Sequence, residues 1–505
     1  MMTLISRVLN GTTMYRLMIY YLGALFVAGL GLAVAGATFM SPSSLLFSLV
    51  VTFVSAWGTN RLFGYVLRLP LNAESVHITA LILVLIMPPA VPSEPMSILG
   101  VVVASVVAIG SKFVLTIGHK HIFNPVAIGA VAAGLLVNQP AVWWVGGSPT
   151  LLPLVVIGGL LVTHKVQRLG MIASYLLANL AAVVLTTPPE MLGMGLQQGL
   201  IYSPLFFAGF AMLTEPLTAA HGRWSRHIYA ILVGALSSPN IHIANFYFSP
   251  ELAFLVANLY AWAASPKGRF RLELLHVERI AADCYDYVFR SDRRLNFRAG
   301  QYLDWTLGVR KPDNRGNRRT FTIASSPSED HVRLGVKFYS GPSAFKQHLC
   351  EMSPGDAIYG SQIAGTFTLP RNPRRKILLI AGGIGITPFR SMIQDLLDRG
   401  EQRDIILLYG NRQAEDIAYM PLLARAEREL GLRVIHAVSQ AEARLDNLHP
   451  GRIDAQLMAR EVPDIAERYI YVSGPTSMVS TFRKALRSCG ASRRRIHTDL
   501  FPGFG

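Results

Sequence analysis

Apolar residues follow two different patterns along this chain of 505 residues. Up to about residue 264, long apolar stretches alternate with short polar segments, whereas later residues alternate short apolar runs with turns. Long apolar stretches are typical of membrane-spanning helices, and short runs with period two are typical of β-strands. We therefore expect a polytopic α-helical membrane domain over 1–264. Its ten apolar stretches lie near 17–38, 44–66, 77–93, 96–117, 124–138, 151–164, 170–187, 199–214, 227–239 and 251–264.

Positive charges in the loops between these stretches indicate an orientation. Every second loop carries two basic residues, namely Arg7/Arg16, Arg61/Arg68, Lys112/Lys120, Lys165/Arg168, Arg223/Arg226 and Lys267/Arg269. The loops between them contain neither Lys nor Arg, and they lie at 39–43, 94–95, 139–150, 188–198 and 240–250. Because Lys and Arg are retained on the cytoplasmic side, this alternation predicts ten spans with both termini in the cytoplasm. We expect a multi-pass protein of the inner (cytoplasmic) membrane, with residues 265–505 on the cytoplasmic side.

The composition agrees with a membrane part followed by a basic soluble part. Mean hydropathy is +0.36. Residues 1–264 hold ten Lys or Arg, five Glu and no Asp, whereas the rest hold 37 basic and 26 acidic side chains. On a membrane protein, the net charge of +16 favours contact with anionic lipid headgroups over nucleic acid. The three cysteines lack CxxC spacing, which excludes a four-cysteine iron–sulfur or zinc site, so we expect no metal.

Residues 265–370, which begin with a short linker at 266–268, have the pattern of a small antiparallel β-barrel. Short alternating runs separated by turns, from Phe270 to about Thr368, are expected for such a domain. The predicted strands are Arg271–Val277, Asp286–Arg290, Tyr302–Leu307, Arg319–Ala324, Val332–Phe338 and Ala357–Gly360.

Residues 371–505 alternate strands with helices, and Lys376–Met392 organises this part. An apolar run, Ile377–Ala381, breaks into Gly382-Gly383-Ile384-Gly385 before a helix that begins near Pro388. Glycines let the backbone approach a phosphate, and the start of a helix offers free N–H groups to an anion. Further strands are predicted at 405–409, 434–438 and 469–472. This pattern predicts a doubly wound parallel sheet that binds a dinucleotide.

Two motifs in the barrel suit a flavin nucleotide. In Arg319-Thr320-Phe321-Thr322, the guanidinium can neutralise a pyrophosphate, the ring can lie against a flavin, and the Thr322 hydroxyl can reach a ring nitrogen. In Gly341-Pro342-Ser343-Ala344-Phe345, backbone N–H groups and the Ser343 hydroxyl can hold the pyrophosphate, and Ser343 also suits a helix N-cap. Followed by the glycine loop, these motifs resemble the ferredoxin–NADP reductase superfamily over nearly all of 265–505.

This resemblance implies an NAD(P)H-dependent oxidoreductase that contains FAD. It places Thr387 close to the nicotinamide and Tyr409-Gly410-Asn411-Arg412 at the adenosine ribose, where Arg412 either meets a 2′-phosphate or is a solvated charge. The dinucleotide loop that it implies consists of Gly382, Gly383, Gly385, Thr387 and Pro388.

Departures from the family pattern occur near the C-terminus. Ser473-Gly474-Pro475 stands where many members have Cys-Gly-Pro, and Asp499 replaces a common Glu. Phe501, or alternatively Phe504, takes the place of the aromatic residue that covers the flavin. The implied catalytic residues are Thr322, Thr387, Ser473 and Asp499.

Two loops of the first part carry a second resemblance. They are His119-Lys120-His121-Ile122-Phe123-Asn124-Pro125 and Met212-Leu213-Thr214-Glu215-Pro216-Leu217-Thr218. With Ile78-Thr79-Ala80 and Pro88-Pro89, they resemble the B subunit of the sodium-pumping NADH:quinone reductase and the D subunit of the Rnf complex. The resemblance implies ten helices and a bound FMN or riboflavin. Covalent FMN would use Thr150, but the expected Gly-Ala is missing there, and a helix N-cap is the favoured explanation of this residue.

Together these features predict hydride transfer from NAD(P)H to FAD, and then electron transfer into the membrane part. The acceptor is expected to be a membrane flavin, a quinone or a separate redox protein. The predicted receiving site contains Phe123, Asn124, Thr214 and Thr218. The alternative is a component of a redox-driven ion pump or transporter, which intramembrane carboxylates would favour.

Overall fold

The protein forms two compact units in a computed structural model, Met1–Pro266 and Lys267–Gly505, here the first and second unit. The structure describes residues 14–67, 73–117, 120–244, 246–265, 269–308, 318–339, 341–440 and 448–501. The predicted domain boundary, between 264 and 265, lies two residues before the observed division.

The first unit is helical, and each of the ten predicted apolar stretches contains helix. The α-helices are α1 Met14–Val34, α2 Pro42–Leu67, α3 Ala73–Ile86, α4 Pro95–Val114, α5 Pro125–Val137, α6 Leu152–Lys165, α7 Leu169–Thr186, α8 Leu192–Gln197, α9 Leu205–Phe207, α10 Arg223–Leu236 and α11 Pro250–Ala263. Two short hairpins accompany them, β1 Thr116–Ile117 with β2 Lys120–His121, and β3 His242–Ile243 with β4 Phe246–Tyr247.

Four of these helices, α1, α2, α4 and α7, are long and apolar enough to cross a membrane. Helices α3, α5 and α6 are apolar but shorter. Large apolar side chains on α2, among them Val50, Val54, Leu62 and Tyr65, are exposed to the surroundings. Outward-facing apolar residues on long helices are expected where lipid replaces water. The count of ten spans remains a prediction.

The stretch 199–214, predicted as one apolar helix, is interrupted. Helix α8 continues into a π-helical turn, Gln198–Tyr202, and α9 continues into a second one, Ala208–Met212. Between them Ser203 is extended, with φ −98° and ψ 158°. The following Pro204 explains the break, because proline lacks an N–H donor and disfavours helical geometry in the preceding residue.

The second unit begins with a six-stranded antiparallel sheet in the order β8-β7-β10-β5-β6-β9. Its strands are β5 Arg269–Ala281, β6 Cys284–Ser291, β7 Tyr302–Thr306, β8 Arg318–Thr322, β9 Val332–Lys337 and β10 Ala357–Ala364. A hydrogen bond from Ala324 N to Arg333 O (2.9 Å) joins the two edges just after β8. Helix α12, Ala344–Cys350, packs Phe345 and Leu349 into the apolar interior. All six predicted strands are confirmed, with ends that differ by a few residues.

A six-stranded parallel sheet in the order β14-β13-β12-β11-β15-β16 completes the second unit. Its strands are β11 Ile377–Gly382, β12 Ile405–Asn411, β13 Arg433–Val438, β14 Leu448–Pro450, β15 Tyr469–Pro475 and β16 Ile496–Phe501. The helices are α13 Thr387–Arg399, α14 Met420–Leu430, α15 Ala455–Glu461 and α16 Thr476–Ser488. The predicted doubly wound sheet is confirmed, although β14 and β16 were not predicted as strands.

The alternation within β11 shows why both faces of this sheet are covered. Ile377 and Leu379 belong to an apolar cluster with Phe389 of α13, whereas Leu378 and Ile380 belong to another with Leu486 of α16. Successive side chains of a strand point to opposite faces, so a strand that is apolar throughout requires helices on both sides.

Candidate functional site

The carboxyl ends of the parallel strands bring the predicted dinucleotide residues to one edge of the sheet. Strand register places Ala381 beside Ser473, and Ser473 beside Asp499. Gly382 and Gly410 are partners on the other side of β11. In doubly wound sheets, ligands bind outside the carboxyl ends of the strands.

The glycine loop has two distinct features. Gly383 adopts φ +52°, and a Cβ built on it would meet nothing within 4 Å, so this backbone faces open space. A Cβ on Gly385 would lie 2.4 Å from the Ser473 carbonyl oxygen, so only glycine allows the loop to pack against β15. The buried Thr387 follows, and its hydroxyl donates to Ile384 O at 3.2 Å. The prediction of a strand, a glycine turn and a helix is confirmed.

Ser473 and Asp499 are the polar side chains on the neighbouring strands. The Ser473 hydroxyl is buried and has no hydrogen-bond partner among the residues that the structure describes. A buried polar atom without a partner is costly, and a bound ligand commonly satisfies it. Asp499 is half-buried, and this burial raises the pKa of its carboxyl from 3.8 to about 6.

Strand β8 presents Arg319 and Phe321 towards helix α12. The Arg319 guanidinium donates to Arg318 O (2.8 Å) and lies 5.5 Å from the centre of the Phe345 ring. The Phe321 ring lies 5.9 Å from the same ring. Thr320 donates to Asp304 Oδ1 at 2.6 Å, and Thr322 is buried.

The turn before α12 contains Gly341 and Ser343, for which a phosphate-binding backbone and a helix N-cap were predicted. Gly341 has φ +75°, and a Cβ there would meet nothing within 4 Å. Ser343 is the N-cap of α12, and its hydroxyl accepts from Lys346 N at 3.4 Å. The predicted capping role of Ser343 is therefore confirmed.

These features fit a flavin and a nicotinamide dinucleotide. Open glycine backbone at Gly341 and Gly383 leaves room for phosphates, and Arg319 supplies a cation near the first turn. The Ser473 hydroxyl, which has no partner within the described part of the chain, lies at the same strand-end edge as Asp499.

Comparison with known proteins agrees with this geometry. The family described as Oxidoreductase NAD-binding domain matches residues 379–484. A flavohemoprotein from Bacillus subtilis is 27% identical over 210 residues, covering 41% of this chain and 51% of that protein. Reductase component 1 of terephthalate 1,2-dioxygenase from Comamonas is 28% identical over 212 residues, covering 41% and 60%. An NADPH oxidoreductase from Mycobacterium tuberculosis is 30% identical over 213 residues, covering 41% and 52%.

The second unit is an oxidoreductase module of the ferredoxin–NADP reductase type. The chain spans half to three-fifths of the length of these curated relatives. Among solved structures, the cytochrome b5 reductase domain of Ulva prolifera nitrate reductase is 20% identical with a TM-score of 0.41, covering 46% of this chain and 98% of that one. The prediction of an NAD(P)H-dependent, FAD-containing oxidoreductase is confirmed for this module.

A second candidate site lies in the first unit, around a cavity of about 70 Å³. Apolar residues of α1 and α3 form one side of it, including Met18, Ile78 and Ile82. Its polar lining residues are Ser75, Thr79, Asn124, Thr214 and Glu215.

The two loops that carried the second resemblance meet at this cavity. The Asn124 side chain donates from Nδ2 to Glu215 Oε2 at 2.8 Å, and Thr218 Oγ1 donates to the same oxygen at 3.1 Å. The Asn124 backbone N–H donates to Asn258 Oδ1 at 2.8 Å. Of the predicted receiving residues, Asn124 and Thr214 line the cavity, and Thr218 is joined to it through Glu215. The half-buried Phe123 is not among the described residues that line it.

Lys112 is a member of this cluster that the sequence did not indicate. Its ammonium donates to Ser75 O (3.0 Å), Ser75 Oγ (2.9 Å) and Thr79 Oγ1 (2.7 Å). The sequence indicated Lys112 only as one of the loop charges. A lysine within an apolar helix next to Ser and Thr was the signal that could have found it, because intramembrane cations are rarely unpartnered.

The remaining predicted residues lie away from the two candidate sites, at the edges of the dinucleotide-binding sheet, or outside the residues that the structure describes. Thr150 is exposed in a turn, and α6 begins after an N-cap at Leu151 that has no side-chain cap, so the alternative that Thr150 caps this helix is wrong. Leu151 has helical backbone angles at this position, φ −86° and ψ −14°, so the turn runs into α6 without the extended residue on which a side-chain cap depends. Arg412 is exposed at the end of β12. Pro388 is buried in the first turn of α13, and Gly474 and Pro475 end β15. The side chain of Phe501, His119 and Phe504 lie outside the described residues.

Proposed function

We propose that this protein is a membrane-bound flavoprotein oxidoreductase that transfers electrons from NAD(P)H through FAD into its first unit. One observation carries the proposal. The glycine loop, Ser473 and Asp499 share one edge of a parallel sheet, within the same compact unit as the Arg319-Thr320-Phe321-Thr322 motif. The four long apolar helices of the first unit support a multi-pass location in the cytoplasmic membrane.

Residues of the second unit would bind FAD and NAD(P)H, and one of its carboxyl groups would hold a proton. FAD, when bound, accepts a hydride and releases electrons singly. Arg319 and the Gly341–Ser343 turn would bind its pyrophosphate, and Phe321 would lie along the ring. Thr387 and the Gly382–Gly385 loop would orient the nicotinamide, and Thr322 would donate to a ring nitrogen.

Ser473 and Asp499 complete the proposed catalytic edge. The buried Ser473 hydroxyl would bond to the nicotinamide amide, which would supply the partner that the described residues do not. Asp499 would hold a proton at its carboxyl, since a pKa of about 6 keeps part of the population protonated near neutral pH. Arg412 would meet the adenosine ribose or a 2′-phosphate, and either Phe501 or Phe504 would cover the flavin.

The cavity at Asn124, Thr214 and Glu215 would be the receiving site in the first unit. Its apolar walls and convergent polar groups have the chemistry of a carrier site, but at about 70 Å³ it is smaller than the roughly 300 Å³ of a small-molecule pocket, so a flavin or quinone ring would have to widen it. Bound FMN or riboflavin, covalent FMN at Thr150, a quinone and a separate redox protein are the acceptors that this proposal includes.

Anaerobic titration of the FAD-loaded full chain with NADH and with NADPH tests the first step. We expect one of the two to bleach the flavin absorbance stoichiometrically. Arg319→Ala should weaken FAD binding by about 10- to 150-fold, because it removes a charged contact worth roughly 1.5–3 kcal/mol. Arg425→Ala, on the exposed face of α14, is the matched control and should retain full FAD. A flavin that neither nucleotide reduces would disprove the proposal.

Acid precipitation distinguishes the carriers. FAD should appear in the supernatant, whereas covalent FMN would stay with the pellet and would be lost in Thr150→Ala. A single flavin per chain would argue for a quinone or a separate protein as the acceptor.

One observation favours a second candidate function, redox-driven ion translocation. Lys112 and Glu215 belong to one polar cluster inside an apolar unit, and such residues often mark ion paths. Proteoliposomes supplied with NAD(P)H and a quinone should then accumulate Na⁺ or H⁺, and Glu215→Gln should abolish uptake. Quinone reduction without any uptake would eliminate this function.

A further inference from the structure

Gly335, in strand β9 of the barrel, is in direct contact with the dinucleotide-binding part of the second unit. A Cβ built on Gly335 would lie 2.6 Å from Thr387 Cγ2 and 2.7 Å from the Tyr419 hydroxyl oxygen. Ordinary van der Waals contacts of a Cβ are 3.4–4 Å. The φ of Gly335 is outside the left-handed range, so space and not backbone conformation requires glycine here.

Contacts on either side hold the two parts of the unit at this separation. Arg390 of α13 donates from Nη2 to Glu329 Oε1 at 2.9 Å and from Nη1 to Ala324 O at 3.1 Å. The Ser391 hydroxyl donates to Ser325 O at 2.6 Å.

Two more contacts lie on the far side of Gly335. Lys337, two residues after Gly335, pairs with Asp416 at 2.7 Å. The backbone N–H of Ala282 donates to Glu415 O at 2.9 Å. These hydrogen bonds and ion pairs flank the contact of Gly335 with Thr387 on both sides. A larger residue at 335 would therefore either displace the start of α13 or break the flanking bonds.

We propose that Gly335 is a positioning residue for hydride transfer, because its missing side chain lets Thr387 and Tyr419 rest on β9 and so fixes how closely the nicotinamide approaches the flavin. This inference rests on the proposed function. In the proposed function, Gly335 touches neither FAD nor NAD(P)H and acts through Thr387.

Substitution at Gly335 tests this inference in the FAD-loaded full chain. Gly335→Ala forces a displacement of about 1 Å, and a misplacement of that size can cost about 100-fold in rate. We expect flavin reduction at saturating nucleotide to fall at least tenfold. FAD content and the nucleotide dissociation constant should stay within threefold of the parent. The isotope effect from nucleotide deuterated at the transferred position should rise, because the chemical step becomes limiting.

Gly360→Ala is the matched control for damage to the barrel. A Cβ there would lie 2.5 Å from Leu303 Cδ2, a comparable clash that lies wholly within the barrel core. It should lower stability but leave flavin reduction, expressed per bound FAD, unchanged. An equal loss of rate in both variants would overturn the inference.

The double variant Gly335→Ala/Thr387→Ser supplies a rescue. Serine keeps the hydroxyl and removes the methyl group that the new Cβ would meet, so the two changes should be non-additive. The rescue should be partial, because the Tyr419 hydroxyl oxygen still lies 2.7 Å from the new Cβ. Additive effects would contradict the proposed contact. If Gly335→Ala does not fold, Glu329→Gln tests the positioning role in its place. Weakening the flanking contact with Arg390 should slow flavin reduction without weakening nucleotide binding, and an unchanged rate would contradict the role.

These outcomes separate the two proposals. If neither nucleotide reduces the parent flavin, the proposed function and this inference fail together. If the parent is reduced and Gly335→Ala matches its rate, only the positioning role fails.

Discussion

The two units bury charged side chains in different ways. In the second unit, Arg390 donates from both terminal guanidinium nitrogens to the two carboxylate oxygens of Glu329, and Arg333 joins Glu278 (2.8 Å) and Asp286 (3.0 Å). In the first unit, Lys112 donates to hydroxyl and carbonyl oxygens, and Glu215 accepts from an amide and a hydroxyl.

The difference indicates different roles. Ion pairs that satisfy each other leave little to offer a ligand. In the second unit, the Arg390–Glu329 pair joins the barrel to the parallel sheet, and Arg333 links the barrel strands β5, β6 and β9. Lys112 and Glu215 attract each other, but the hydrogen bonds described above join each of them to neutral groups beside the cavity, so part of their field reaches a bound molecule. We therefore interpret the network of the second unit as structural and the cluster of the first unit as a site.

The largest expected effect comes from breaking the network of the second unit. Arg390→Ala leaves Glu329 without its main cation, and removing one partner of a buried pair typically costs about 3–5 kcal/mol. We expect the free energy of unfolding of the second unit to fall by about 3 kcal/mol in urea titrations followed by FAD release. Arg425→Ala, which removes an exposed pair with Glu429, should be indistinguishable from the parent. Similar losses in both variants would contradict a structural network.

The next effect belongs to the cluster of the first unit. Glu215→Ala removes the oxygen that holds Asn124 and Thr218, so the receiving site loses its shape. We expect electron exit to a quinone to fall at least tenfold, about 1.4 kcal/mol in barrier, while NAD(P)H still bleaches the FAD. Stopped-flow absorbance with and without quinone separates the two steps. Unchanged exit would show that this cluster is merely structural.

The smallest effect is a pH dependence at Asp499. Its pKa is about 6 in the folded protein and near 3.8 when unfolded, so the folded state binds more protons between these values. Its contribution to stability is therefore lost as the pH rises through this window. Asp499→Asn cannot ionise. The free energy of unfolding of this variant, relative to the parent, should rise by on the order of 1 kcal/mol from pH 5 to 7.5 in thermal unfolding. The effect is this small because the carboxyl is only half-buried. A constant difference would refute the raised pKa.

The elements of the second unit could be predicted because their signals are local. The apolar run at Ile377–Ala381, the glycines and Pro388 lie within one short segment, and each favours the same strand–turn–helix. The interruption at Ser203-Pro204 carried the same kind of signal, but the apolar content of 199–214 outweighed it in the prediction. Strand β16 was missed because Asp499 and the basic run before it mask its alternation.

The candidate sites were only partly predictable. Resemblance indicated Asn124 and Thr218, but Lys112 entered only as a loop charge, because its partners on α3 are more than 30 positions away. Gly335 gave no signal at all, since a glycine within a strand does not reveal what rests against it.

The sequence by itself determined the kinds of elements, the division into an apolar helical part and a nucleotide-binding part, and the residue types at the strand ends. Periodicity and turn chemistry act over a few residues, so they can be recognised without a fold. Only the tertiary structure decided that Glu215 meets Asn124 across 91 positions and that Glu329 meets Arg390 across 61. Such pairings arise from how whole elements pack, and no local pattern encodes them.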